Sequence, residues 1–417
     1  MPFHTHRLPN GLELIGETSP SARSVALGFF VRTGSRDEAA DVSGVSHFLE
    51  HMVFKGTPRR SALEVNLDFD RIGASNNAFT STEATLYYAA VLPEYLPQAV
   101  DILADILRPS LRQEDFDVEK KVIINEIKMY HDEPGSAAWE RALKIYFADH
   151  PLGNSILGSA EGIAALSRDQ MAEYFGRRYG ASNVVAVVAG NFDWPTFVGL
   201  VGEACAGWEP GRPGRTHRTE WSGTPGVHVL TREKVQQEYV RLMSGGPPST
   251  SMLRYAADVL ALAVGDDSGS RLYWELVDPG RAESADSAYH EHDGTGTFHT
   301  TFCCEPEHTA ENLAIVRRVL AEVQRDGITG EELRQAQSKI ASRVVRGNER
   351  PMGRMQAIAA SWTYTGEYRD VDAELANYDA VGLKEVRAVL DHYPIDHSTV
   401  VAFGPLKELE GVEGKAA

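Results

Sequence analysis

Two histidines and a glutamate fall within five residues, His47, Glu50 and His51. On a helix, residues four apart share a face, so both imidazoles can reach one ion. Glu50 then lies beside whatever that ion binds. Zinc accepts nitrogen and oxygen donors in tetrahedral geometry, and a catalytic zinc uses three protein ligands and keeps one position open. The flanking Val45, Phe48, Leu49, Met52 and Val53 supply an apolar stripe that buries such a helix on its other side. The competing reading is a surface helix that happens to carry two histidines.

A second pair of carboxylates raises the metal reading. Glu119 and Glu126 are seven residues apart, two helical turns, and so share a face. Val122, Ile123 and Ile127 predict a buried stripe beside Glu126. A carboxylate there needs a partner, because an unpaired buried charge is costly. A zinc ion is one partner, and a lysine or arginine is the other.

Two α+β domains are expected to position these groups. A polar stretch over 209–226, EPGRPGRTHRTEWSGTPG, denies helix and sheet and divides the chain. The reading is a domain over 1–210, a linker over 211–226 and a domain over 227–417. The first half predicts strands over 12–16, 25–31, within 77–91 and over 183–189. Its helices start near 43, 62, 94 and 113. The second half repeats this order, with strands over 227–230, 238–243, 283–291 and 297–304, and helices from about 251, 268, 310 and 330. Each domain is thus expected to be a mostly antiparallel sheet covered on one face by helices.

Composition narrows the function classes. The 417 residues carry 41 Lys plus Arg against 59 Asp plus Glu, a formal charge of -18. Such a surface repels nucleic acid and anionic lipid, and tolerates or attracts cationic peptides. Cys205, Cys303 and Cys304 form neither a disulfide framework nor a thiolate metal site, which fits a reducing compartment. The start, MPFHTHRLPNG, lacks a basic-then-apolar leader, and no run approaches ~20 apolar residues. A cytoplasmic location is expected. His290 and His292 alternate on a strand and face one side, but no carboxylate ligand accompanies them, so they read as a polar strand face. Lys55 to Arg60 reads as a helix exit and solvated turn.

His-x-x-Glu-His is the inverted zincin motif. The chain resembles the pitrilysin/insulinase family of zinc metallopeptidases, in particular its half-size members, which include the β subunit of mitochondrial processing peptidase and bacterial relatives. The likeness runs through most of the first half. It is carried by Gly44-Val-Ser-His-Phe-Leu-Glu-His-Met-Val-Phe-Lys-Gly-Thr57, by Asn77-Ala-Phe-Thr-Ser81 with Thr85-Leu-Tyr-Tyr88, and by Val122-Ile-Ile-Asn-Glu126 with Asp132-Glu-Pro134. Pro151-Leu-Gly153, Ile156-Leu-Gly158 and Asn183-Val-Val185 are similar too. The resemblance implies one Zn2+ per chain held by His47, His51 and Glu126, with Glu50 as general base. Glu119 would be a supporting carboxylate that orients a ligand histidine, and Asn77 and Ala78 would hold the substrate backbone. It also implies half of a clamshell chamber that takes peptides or unfolded segments. Zinc lowers the pKa of bound water from 15.7 to about 7. Glu50 would then take the water proton and return it to the leaving amine.

The second half departs from the family, which has an Arg and, seven residues later, a Tyr that bind substrate and steady the tetrahedral intermediate. Here those positions are Val277 and Ser284. The resemblance therefore implies a dimer, with itself or with a related chain that supplies the missing pair. Two functional readings stand. One is a zinc endopeptidase. The other is a non-catalytic structural or assembly subunit of the same fold, against which the survival of His47, Glu50, His51, Glu119 and Glu126 argues.

Overall fold

The computed structural model describes residues 1–211, 215, 221–409 and 415–416. The described strands are β1 (Phe3–Arg7), β2 (Glu13–Thr18), β3 (Val25–Val31), β4 (Ser75–Thr80), β5 (Thr85–Val91), β6 (Val184–Gly190), β7 (Gly226–Thr231), β8 (Glu238–Gly246), β9 (Ser284–Glu291), β10 (Gly296–Cys304), β11 (Thr399–Gly404) and β12 (Lys415–Ala416). They form two six-stranded sheets, ordered β1-β2-β6-β3-β5-β4 and β12-β7-β11-β8-β10-β9. From the second position on, the orders match strand for strand, as the repeated element order in the sequence predicts. The sheets are mixed. β2 pairs with β6 in parallel, as does β7 with both β11 and β12, and the remaining pairs are antiparallel.

The chain divides into two compact units. The first comprises Met1–Lys128, Asn154–Thr216 and Val345–Asp370, and the second Met129–Gly153, His217–Val344 and Val371–Ala417. The continuous spans of the sequence reading are therefore each interrupted by a segment of the other unit. Much of the expected linker, residues 212–214 and 216–220, lies outside the described residues. Arg215 within it is anchored, with its guanidinium on both oxygens of Asp37 at 3.0 and 2.7 Å.

The two exchanged segments explain why the central strands are apolar throughout. β3 and β6 are buried at every position, with no alternation of polar residues, which is the pattern of a sheet covered on both faces. Alternate side chains sort to two cores. Val25, Leu27, Phe29 and Val31 face the main helical layer, whereas Ala26, Phe30, Val185 and Val187 meet Met355, Ile358 and Ala359. The latter three belong to the helix Pro351–Thr365, which starts on Pro351 and stops at Gly366, φ 67°. In the second unit the helix Pro134–Phe147 plays the same part, packing Ala142 and Tyr146 on Met243 and Val401. Its start is capped by the Glu133 carboxylate. Helices on one face only, the sequence expectation, thus becomes a helical layer on one face and a single helix on the other. No described helix is long and apolar enough to cross a membrane.

An ion pair fastens the helix Pro351–Thr365 to its sheet. Arg354 Nε donates to both oxygens of Glu17 at 2.9 Å, and Nη2 donates to Oε2 at 2.6 Å. The side chains are 7% and 1% exposed. Arg354→Met leaves Glu17 buried with its main partner gone, so unfolding in denaturant should register a loss of about 3–5 kcal/mol. The double change to Arg354→Met with Glu17→Met should recover most of it. An unchanged midpoint in the single variant would contradict this account.

Candidate metal centre

The motif helix, Val45–Val53, begins at Gly44, whose φ of 87° suits glycine. A Cβ there would meet the Leu157 carbonyl oxygen at 2.4 Å. The Glu38 carboxylate caps the start, accepting the N–H groups of Gly44 and Ser46 at 2.7 Å each. Burial pushes the Glu38 carboxyl up to about 8 despite these two bonds. Val45, Phe48, Leu49, Met52 and Val53 are buried in the core. That anchoring turns His47, Glu50 and His51 outward together, as their spacing predicts.

Glu119 and Glu126 come from the helix Gln113–Asp132, where Phe116, Ile123 and Ile127 are buried. Glu126 stands at the margin of that face, its side chain 22% exposed. Val122, expected in the buried stripe, is instead 45% exposed, because it lies beyond Glu126 from the core. His47 Nε2 is 3.7 Å from Glu126 Oε1, and His51 Nε2 is 3.6 Å from Glu126 Oε2. Both separations are too long for hydrogen bonds. They are close to the spacing of about 3.3–3.4 Å between donors that share one tetrahedral zinc at about 2.0–2.1 Å. One ligand atom from each of these three residues lies within 4.8 Å of the others. The donor set and its spacing fit zinc.

The other ring nitrogen of His51 is held from behind. Nδ1–H donates to Glu119 Oε1 at 2.9 Å, which leaves the Nε2 lone pair facing Glu126. Glu119 Oε2 in turn meets Lys55 Nζ at 2.7 Å. Lys55 is therefore part of the site and not of a solvated turn. Its backbone carbonyl is fixed as well, accepting Arg112 Nη2 at 2.8 Å. Burial would raise Glu119, but the bonds from His51 and Lys55 outweigh it and hold the carboxyl below its ordinary value. His47 is pushed down to about 4 by burial and by the neighbouring His51, so its ring is neutral at neutral pH. For His51, burial acts downward, but the Glu119 bond and the nearby carboxylates produce a net rise. Burial raises Glu50, with Thr80 opposing. A Glu119→Gln variant should bind zinc about 10–100-fold more weakly, read by competition with a chelator. Wild-type affinity would show that Glu119 does not act on His51.

Asn77 and Ala78 lie on β4, an edge strand of the sheet. Ala78 is buried, and Asn77 and Phe79 are exposed. Strand alternation places Ala78 and Thr80 on one face and Asn77 on the other. The residue brought to Glu50 is Thr80, which was not singled out in the sequence. Its hydroxyl donates to Glu50 Oε2 at 2.6 Å.

In the second unit the helix that follows β8, Leu253–Val264, is the counterpart of the motif helix, which follows β3. It carries Arg254, Tyr255 and Asp258, tied to Glu374 and Tyr378 by hydrogen bonds. Among the described residues, the other group with metal-ligand spacing is Glu305, Glu307 and His308, all exposed. His290 does not lie on a solvated strand face. It packs against Trp139 and His299 at ring distances of 5.5 and 4.5 Å. Val277 ends a π-helical turn, and Ser284 begins β9. The nearby Arg281 is paired with Glu311, and the Tyr289 hydroxyl is bonded to the Pro247 carbonyl.

Fold and site together define a metallopeptidase-type centre of the inverted zincin class, built on one half of a duplicated α+β chain. Comparison with known proteins agrees. The model of the insulinase family, peptidase family M16, matches residues 14–160, and that of the M16 inactive domain matches residues 165–340. An uncharacterised zinc protease of Mycobacterium tuberculosis is 35% identical over 95% of this chain and 92% of its own length. The uncharacterised zinc protease YmxG of Bacillus subtilis is 33% identical over 91% of this chain and 93% of its own length. The crystal structure of a protease from Helicobacter pylori covers 97% of this chain and 99% of its own, with a TM-score of 0.88 at 20% identity. The chain belongs to peptidase family M16.

Proposed function

We propose that this chain is a zinc-dependent endopeptidase with one Zn2+ held by His47, His51 and Glu126 and with Glu50 as general base. The observation that carries the reading is the convergence of two Nε2 atoms on one carboxylate, with Glu119 fixing His51 from behind. Zinc bound there supplies Lewis acidity, polarising a scissile carbonyl and acidifying water. Glu50 takes the proton of the attacking water and delivers it to the leaving amine. The open side of β4 offers main-chain groups to an extended peptide, a mode of grip that tolerates many sequences. Asn77 and Ala78 belong to that edge. An Asn77→Ala variant should cleave several unrelated peptides more slowly while keeping its zinc.

The substrate is a peptide or unfolded segment enclosed in a chamber completed by a second chain. Val277 and Ser284 replace the two donors the family uses, and Arg281 and Tyr289 are engaged elsewhere. Such donors are each worth about 10²–10³ in rate. The partner is therefore a related chain that carries them, in preference to a second copy of this one. The test is to assay the zinc-loaded chain on unstructured peptides before and after adding a related chain that lacks the His motif but carries the Arg and Tyr. Activity on mixing supports the heterodimer, and full activity of the isolated chain rejects it. The same replacements favour one other reading, a non-catalytic assembly subunit. A zinc-loaded pair that cleaves none of the peptides would support that reading.

A further inference from the structure

Glu50 has a flexible side chain, yet its carboxylate is fixed in the structure by a residue far away in sequence. Thr80 is the last residue of β4, and its hydroxyl donates to Glu50 Oε2 at 2.6 Å. The hydroxyl has little competition. Its other near neighbour, Thr85 Oγ1, stands across the strand pair at 3.5 Å and spends its own proton on the Thr33 carbonyl at 3.0 Å. The bond at 2.6 Å lies in the range of charge-assisted O–H···O⁻ contacts. It ties the motif helix to the end of the edge strand through one oxygen of the carboxylate and leaves Oε1 for proton transfer.

We propose that Thr80 is the positioning residue for Glu50: it holds Oε2 so that Oε1 is presented to the reacting water, and it locks the base to the strand that receives the substrate. The inference rests on the reading of Glu50 as the base. A side chain that loses such a tether samples other rotamers, and a displacement of about 1 Å at a reacting group costs on the order of 10²-fold in rate. Thr80 touches no reacting atom, so it acts only through Glu50.

The test uses Thr80→Val, which removes the hydroxyl but keeps the shape and the β-branch, Thr80→Ser, which keeps the hydroxyl, Glu50→Gln, and Glu50→Ala as a background without the carboxylate. All are made in the active assembly. Thr80→Val should lower kcat by about 10–100-fold with KM within about twofold, at full zinc content. Thr80→Ser should return kcat to within about threefold of wild type. A readout apart from turnover is the midpoint of thermal unfolding. Thr80→Val should lower it in the wild-type background and leave it unchanged in a Glu50→Ala background, because the bond is then already absent. Wild-type kcat in Thr80→Val, failure of Thr80→Ser to restore it, or an equal midpoint loss in both backgrounds would overturn the proposal. Retained turnover in Glu50→Gln would overturn the reading of the base itself, which separates the two failures.

Discussion

Glu50→Gln should retain a full complement of zinc and lose about 10²–10⁴ in kcat, the contribution of a positioned general base. The expectation follows from where the atoms lie. Glu50 is bonded to Thr80, and its carboxylate is not among the three groups whose donor atoms converge. Glutamine keeps the shape and can still accept from Thr80, so the site should not collapse. It cannot accept a proton from water at neutral pH. Metal analysis and steady-state kinetics on one preparation decide the matter. Loss of zinc in this variant would make Glu50 a ligand and undo the assignment.

Glu126→Gln should instead lose the metal itself. The Glu126 oxygens face the two Nε2 atoms at 3.7 and 3.6 Å. Replacing the carboxylate removes the one formal negative charge of the proposed ligand set and leaves two neutral imidazoles. Zinc affinity should fall by more than the roughly 10–100-fold that loss of an outer partner costs. At ordinary zinc concentrations the protein should purify metal-poor, with turnover lost in proportion. Full metal retention would remove Glu126 from the ligand set. The two variants bracket the assignment, since both are expected to lose turnover but only Glu126→Gln to lose zinc.

The site was legible wherever its geometry is local. His47, Glu50 and His51 are fixed by helix periodicity alone, and Glu119 with Glu126 by two further turns. The supporting contacts were hidden because they cross the fold. Lys55 reaches Glu119 across 64 residues, and Thr80 reaches Glu50 across 30. Nothing in a loop after a helix, or in a threonine at a strand end, announces such a partner. Val122 was misjudged because apolar type says nothing of which side of Glu126 the core lies on. The strands β3, β6 and β8 were readable from their runs of strand-forming apolar residues, with valine densest in β6. The exchange of segments was not, because an amphipathic helix such as Pro351–Thr365 shows that it packs but not on which sheet. The unbroken burial of β6 was the available clue that a second layer had to come from elsewhere.

The most direct test is a zinc titration of the chelator-stripped protein, isolated with any chain that copurifies, against an unstructured peptide. Cleavage should be absent without metal, rise with zinc and saturate at one equivalent per copy of this chain. Cleavage that persists without zinc would contradict the account, as would its absence when one equivalent is bound.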